Sequence, residues 1–125
     1  TPQNAPDKDI DRKLKVDADL FLVGVENIKV ESGEEEKEVV VASVMGGYEG
    51  HRGWINYLAV SPSRQRKGYG QLIMAAVESR IQAKGCPKIN LQVRHANQAV
   101  IAFYAELGYG DDNVLGLGKR LEKDD

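Results

Sequence analysis

At 125 residues the chain has the length of one domain, and a domain of that size buries roughly two thirds of the surface its unfolded chain exposes, enough for a core without staples. A formal net charge of −2 speaks against a dedicated nucleic-acid binder, and a single cysteine, Cys86, excludes an internal disulfide framework and a multi-cysteine metal site. No apolar run approaches the ~18 residues of a membrane span and no secretory pattern is visible, so the expectation is one domain over residues 1–125 in a reducing cytoplasm.

Thr1 to Pro6 is a polar lead-in with two prolines. Asp7 then offers an N-cap, and the four-residue spacing of Ile10 and Leu14 predicts a short amphipathic helix over Lys8 to Val16. The apolar run Asp19 to Val25 predicts a strand covered on both faces, and the Val-rich stretch Glu38 to Met45 predicts its antiparallel return. Between them, Gly33 to Lys37 carries three consecutive glutamates and reads as a solvated hairpin connection.

Gly46 to Gly53 holds four glycines in eight residues. It is either a flexible hairpin loop or a substrate-side loop presenting Tyr48, Glu49 and His51. His51 is not expected to bind metal, because His95 is the only other histidine and no acidic partner stands at ligand spacing. Trp54 to Val60 alternates as a strand. From Gln71 to Lys84 the stripe Leu72, Ile73, Ala76, Val77 and Ile81 predicts a helix, which Gly85 stops. Lys88 to Arg94 alternates again, so strand, helix and strand imply a right-handed parallel crossover. Asn97 is an N-cap candidate for a second helix with the stripe Val100, Ile101, Tyr104 and Leu107, ended by Gly108. Val114 to Leu121 is expected as a last strand, weakened by Gly116 and Gly118.

The stretch that carries chemistry is Val60 to Gly70, VSPSRQRKGYG, a glycine-rich turn between a strand and a helix. Such a turn gathers free backbone N–H groups and the positive end of a helix dipole at one point, where a phosphate or pyrophosphate can sit. Two common phosphate motifs fail here. A P-loop needs Gly-Lys followed by Ser or Thr, whereas Lys67 precedes Gly68 and no Ser or Thr follows. A dinucleotide fingerprint needs a glycine where Ile73 stands and an acidic residue near Lys88 to Gln92, where there is none.

What remains is the Q-x-x-G-x-G pattern Gln65-Arg66-Lys67-Gly68-Tyr69-Gly70, preceded by the V-x-P of Val60 to Pro62. It resembles the acyl-CoA-binding signature of the GNAT superfamily of N-acetyltransferases. A second block, Asn97, Tyr104, Gly108 and Tyr109, stands at the offsets of that family's N-x6-Y-x3-G-[FY] pattern. Met45 to Gly53, Gly85 to Ile89 and Leu117 to Leu121 are similar to the small bacterial YpeA-type members. The resemblance spans nearly the whole chain. It implies an α/β GNAT fold: a mixed, mainly antiparallel sheet with one splayed parallel pair and helices on both faces. Family members begin with a strand and a helix before the segment matching Lys8 to Val16. Either these precede the given residues or the sheet is short on one side.

The resemblance further implies acetyl-CoA as acyl donor. Amides from Arg66 to Gly70 would hold its pyrophosphate, with charge from Arg64, Arg66 and Lys67, and backbone of Leu58, Ala59 and Val60 would pair with the pantetheine arm, a strand addition by a cofactor. Acetyl transfer to an amine asks for a neutral nucleophile, an oxyanion donor and a proton for the departing thiolate. By motif position Tyr104 would be the general acid, a role compatible with core packing, and a backbone N–H on the Leu58 strand the oxyanion donor. Asn97 either contacts coenzyme A or caps its helix. No base stands where several relatives carry glutamate: Gln92 occupies that position, and Asn56 on the other central strand is also neutral. Glu49 or His51 could substitute, or an amine of low pKa needs no base.

The expected activity is acetyl-CoA-dependent transfer to an amine of a small molecule or a protein, by a monomer or homodimer without nucleic-acid or membrane partners. Two rivals are a catalytically idle acyl-CoA-binding module, favoured by Gln92, and a nucleic-acid-binding domain using Arg64, Arg66 and Lys67, disfavoured by the net charge.

Overall fold

The computed structural model describes residues 18–30, 33 and 35–122. The helix expected over Lys8 to Val16 and part of the Gly33 to Lys37 connection lie outside them. The described chain groups into two compact units, residues 18–92 and residues 93–122.

In the first unit a 3₁₀ turn at Ala18–Leu20 enters β1 (Phe21–Lys29). Then come β2 (Glu36–Tyr48), β3 (Gly53–Val60), a second 3₁₀ turn (Pro62–Arg64), helix α1 (Tyr69–Ala83) and β4 (Ile89–Leu91). The sheet order is β1-β2-β3-β4, antiparallel at the first two junctions and parallel at the third. This is the mixed sheet expected, with α1 as the crossover between neighbouring parallel strands.

Two one-residue slips interrupt the ladders. Val41 is passed over between Ala42, opposite Gly24, and Val40, opposite Val25. Asn56 is passed over between Tyr57, opposite Met45, and Ile55, opposite Gly46. Each is a β-bulge, and the extra residue turns everything beyond it to the other face. Burial follows the slip on β3. Gly53 and Ile55 are buried before it and Leu58 and Val60 partly buried after it, while Trp54, Tyr57 and Ala59 are exposed.

Helix α1 packs mainly on β2, with β1 and β3 at its flanks. Its buried residues Ile73, Met74, Val77 and Ile81 share the core with Leu20, Val41, Val44, Met45 and Ile55. The stripe is therefore centred on the 73–77–81 row, and Leu72, expected within it, is 66% exposed. Leu72 lies on the flank toward β1, where it lines an open concavity of about 360 Å³ with Leu22, Val23, Ala42 and Ala76. The approach of α1 and β4 to the sheet requires glycine at position 53. A Cβ there would stand 2.9 Å from Ile81 Cγ2, 3.0 Å from Ile89 Cγ1 and 3.1 Å from Cys86 Sγ.

The expectation that β1 is covered on both faces does not hold among the described residues. From Leu22 onward its even positions are half-buried and its odd ones exposed, Val23 at 54%. β1 is the margin of the described sheet, and among the described residues its apolar run packs on one side only. β1 and α1 run in opposite directions, tied at one end by Asp19, whose carboxylate meets Lys84 Nζ at 2.9 Å and whose carbonyl accepts from Arg80 at 3.0 Å. β4 also differs: it covers three residues of the seven expected.

The second unit is built on α2 (Gln98–Glu106). Asn97 Oδ1 accepts from the Val100 N–H at 3.3 Å, an N-cap bond, and the Tyr104 carbonyl accepts from the N–H groups of Leu107 and Tyr109, each at 3.0 Å, as the helix ends. The strand expected over Val114 to Leu121 is not formed. No strand is described in this unit to pair with it, Gly116 and Gly118 weaken it further, and Val114, Leu115, Leu117 and Leu121 are 77% to 89% exposed. Among the described residues no helix is long and apolar enough to cross a membrane.

Candidate functional site

The last rung of β3 on β2 is the Ser61 N–H donating to the Val41 carbonyl at 2.8 Å. Pro at the first position favours the 3₁₀ turn that follows, and Gln65 leaves it in an extended conformation. Arg66 and Gly68 then both take left-handed backbone, φ +68° and +82°. For a residue with a Cβ that region costs about 1–2 kcal/mol, which marks Arg66 as held there by its surroundings. Alternating left-handed residues turn successive amides to the concave side of the chain, the arrangement of an anion-binding nest.

Gly68 is the N-cap of α1 and supplies no side chain to cap it. The first helical bond is Leu72 N–H to the Gly68 carbonyl, 3.1 Å, so the amides of Tyr69, Gly70 and Gln71 have no partner within the helix. Free donors, a helix N-terminus and the exposed side chains of Arg66 and Lys67 thus meet at one place. They suit a polyanion that approaches backbone closely.

Beside this loop the sheet opens. β4 pairs with β3 only at Gly53, Trp54 and Ile55, and the Asn56 bulge follows immediately. Because the Ser61 amide points to β2, alternation turns Ala59 and Tyr57 the same way and directs the N–H and C=O groups of Leu58 and Val60 to the side that β4 has left. Among the described residues an edge of outward-facing backbone therefore runs from the bulge to this loop, offered by Leu58 and Val60, while Ala59, expected with them, faces β2 opposite Ser43.

Tyr48, Glu49 and His51 are not brought to this place. They occupy the β2–β3 turn at the start of β3, whereas the loop follows its end, about 25 Å along an eight-residue strand. The turn is also closed on itself. Glu49 Oε1 accepts from the N–H groups of His51, at 2.9 Å, and Arg52. The Tyr48 hydroxyl donates to the Gly50 carbonyl at 3.2 Å, and Arg52 donates to the His51 carbonyl at 2.9 Å. The Arg52 amide above all, and then that of His51, hold the Glu49 carboxyl below its ordinary pKa, which makes it a weaker base. Gln92 and Asn56 are exposed and neutral.

Glu26, on β1, escaped sequence reading although it reaches the loop. Its Oε2 accepts from Arg64 Nε at 3.1 Å and from the Tyr69 hydroxyl at 2.5 Å. Arg64 is thereby engaged by a carboxylate rather than left free for a phosphate. The signal was a lone acid on the half-buried face of β1, which otherwise carries Leu22, Gly24 and Ile28.

In the second unit Tyr104 is buried, with the rings of Phe103 and Tyr109 packed edge-on at 5.1 Å and 5.6 Å. Burial pushes its phenol above the ordinary pKa, so it stays protonated through the neutral range. The side-chain oxygen of Asn97 is taken up by its cap. Among the described residues no group of three or more His, Cys, Asp or Glu side chains could hold a metal.

The model of the acetyltransferase (GNAT) family matches residues 3–109. An acetyltransferase of Sodalis glossinidius is 47% identical over 124 residues, spanning 98% of this chain and 80% of its own length. Among solved structures, the NatC complex bound to Gag peptide and CoA is similar with a TM-score of 0.71 at 17% identity, over 83% of this chain and 65% of that one. An aminoglycoside acetyltransferase from a soil metagenome gives 0.62 at 21% identity, over 95% and 77%. The two structures speak for the fold, and the sequence match speaks for descent. With a family model over most of its length and so near a relative, the chain belongs to the acetyltransferase (GNAT) family.

Proposed function

We propose that this acetyltransferase moves the acetyl group of acetyl-CoA onto a primary amine whose pKa is low enough to be substantially neutral at working pH. The observation that carries the donor half is the uncapped, left-handed entry to α1 at Arg66 and Gly68 next to the free edge of β3. Acetyl-CoA supplies an acyl carbon already activated by its thioester. The amides of residues 66–70 would hold its pyrophosphate, Arg66 and Lys67 would add charge, and Leu58 and Val60 would pair with the amides of its arm. A backbone N–H on the Leu58 strand would hold the acyl oxygen. Tyr104, protonated in the neutral range, suits the acid that returns a proton to sulfur; that role rests on its motif position and its raised pKa.

The acceptor half follows from what the strands lack. Neither Asn56 nor Gln92 can take a proton, and Glu49 is a weakened base at the far turn. An α-amine, with an ordinary pKa of about 8, is then favoured over a lysine amine near 10.4. The fold neighbours include a complex bound to a peptide and an aminoglycoside acetyltransferase, and peptides and aminoglycosides are the two acceptor classes to compare. The same neutrality keeps one rival, an idle acyl-CoA-binding module.

Thiol release from acetyl-CoA should be followed over peptides with free N-termini, the same peptides with a blocked N-terminus and a free lysine, and aminoglycosides. Turnover highest on free N-termini is expected. Turnover only on lysine overturns the low-pKa acceptor, and no turnover with tight acetyl-CoA binding favours the idle module. Tyr104→Phe should lower kcat by roughly 10²-fold or more while acetyl-CoA affinity stays within about twofold. An unchanged rate removes Tyr104 from the chemistry.

A further inference from the structure

Glu26 places a negative charge beside a loop whose amides suit a polyanion. A carboxylate there repels phosphate unless it is compensated and serves another end. Both conditions are met. Its Oε2 accepts from Arg64 Nε at 3.1 Å, and the two side chains are only 22% (Arg64) and 29% (Glu26) exposed. The same oxygen accepts from the Tyr69 hydroxyl at 2.5 Å.

The positions of the two donors give the contact its meaning. Arg64 closes the 3₁₀ turn that enters the loop, and Tyr69 is the first residue of the helix that leaves it. A single oxygen on β1 thus spans residues 64–69 from end to end, across a sequence separation of 38 residues to one donor and 43 to the other. Glu26 is on the half-buried side of β1 together with Leu22, Gly24 and Ile28, the row in which a Cβ at Gly24 would come within 4.0 Å of Ile73 on α1. That row elsewhere carries apolar packing or glycine, and here it carries the acid that meets the helix entry.

Between the two anchors lie Arg66 and Gly68 with their left-handed backbone. A loop free at either end would relax Arg66 to ordinary backbone and scatter the amides, and binding would then have to order them again at a cost in affinity. Both titration shifts agree with the geometry. The Tyr69 hydrogen bond first, and then Arg64, hold the Glu26 carboxyl below its ordinary value, while Glu26 holds the Tyr69 phenol above its own.

We propose that Glu26 is a positioning residue for the donor site: through Arg64 and Tyr69 it staples both ends of the phosphate loop and keeps the amides of residues 66–70 in their binding arrangement before the ligand arrives. This inference rests on the donor site proposed above. It also assigns Arg64 to the staple, leaving Arg66 and Lys67 as the charges for the ligand.

The test is calorimetric titration of the wild-type chain, Glu26→Gln, Tyr69→Phe and the double variant, with acetyl-CoA and with adenosine 3′,5′-bisphosphate, together with steady-state kinetics. Glu26→Gln should weaken acetyl-CoA binding roughly fivefold, the sum of two partly exposed contacts, and raise its KM alike, with kcat at saturation kept within about twofold. Tyr69→Phe should move affinity in the same direction by less. The double variant should be no weaker than Glu26→Gln, because both donors act through one oxygen. Wild-type binding that Glu26→Gln leaves unchanged overturns the staple and leaves the donor site standing. A fall in kcat together with thermal stability at unchanged affinity also overturns it, since a merely structural contact behaves so. A wild-type chain that binds neither ligand overturns the donor site, and the staple with it.

Discussion

Two glycine-rich turns flank β3, and they behave in opposite ways. The turn at its start, residues 48–53, spends its polar groups on itself: Glu49 takes up two amides, Tyr48 and Arg52 take up two carbonyls. The turn at its end, residues 61–70, enters a helix with no side-chain cap and left-handed backbone at Arg66 and Gly68. Glycine content is similar and says little about function. Donors that the fold leaves unspent distinguish a site from a connector.

Glycine serves packing in the first turn and, in the proposed donor site, ligand approach in the second, and substitutions can separate the two uses. Gly53→Ala should have the largest effect on stability, about 1–3 kcal/mol, since its Cβ would press on Ile81, Ile89 and Cys86. Chemical denaturation measures it, and acetyl-CoA affinity of the folded variant should be preserved. In the second turn, replacing Arg66 and Lys67 together by Ala should weaken acetyl-CoA about tenfold at low salt and less at high salt, because both side chains are exposed and screened. Titrations at two ionic strengths check this, and a loss that ignores salt would point to backbone damage instead.

A smaller effect is predicted for pH. The Glu26 pKa is lowered from 4.5 on folding, so its contribution is complete above pH 4.5 and is lost as pH falls through the lower folded value. The groups that face it are Tyr69, Arg64 and Lys67. The difference in melting temperature between wild type and Glu26→Gln should therefore be constant from pH 5 to 7 and shrink below pH 4.5. The smallest effect belongs to the closed turn. Glu49→Gln should leave turnover within about twofold, and a loss of 10²-fold or more would return Glu49 to the role of base.

What the sequence made legible is what local rules govern. The helix expected over Gln71 to Lys84 and found at Tyr69–Ala83, its stop at Gly85, the N-cap at Asn97, the parallel crossover and the left-handed turn before the helix all rest on periodicity or on residues with special backbone. The bulges at Val41 and Asn56 did not show, because a one-residue slip leaves composition unchanged while it turns Leu58 and Val60 toward the free edge. The staple did not show either: Glu26 lies 43 residues from Tyr69 and only the folded β1–α1 pair brings them together. The strand expected at Val114 to Leu121 failed for the complementary reason, since alternation proposes a strand but a partner is needed to form it.

Gly68 is where the claim about the second turn is most exposed to test. Valine there must leave φ +82°, a region β-branched residues avoid, while its surroundings are open, with only Gln71 Oε1 near the new Cβ at 3.6 Å. Folding should survive and the amide cradle should not. Acetyl-CoA titrated into both chains should give a 1:1 isotherm with wild type and binding weakened about tenfold or more with Gly68→Val. Equal affinity for the two would show that the backbone of residues 66–70 does not hold the ligand.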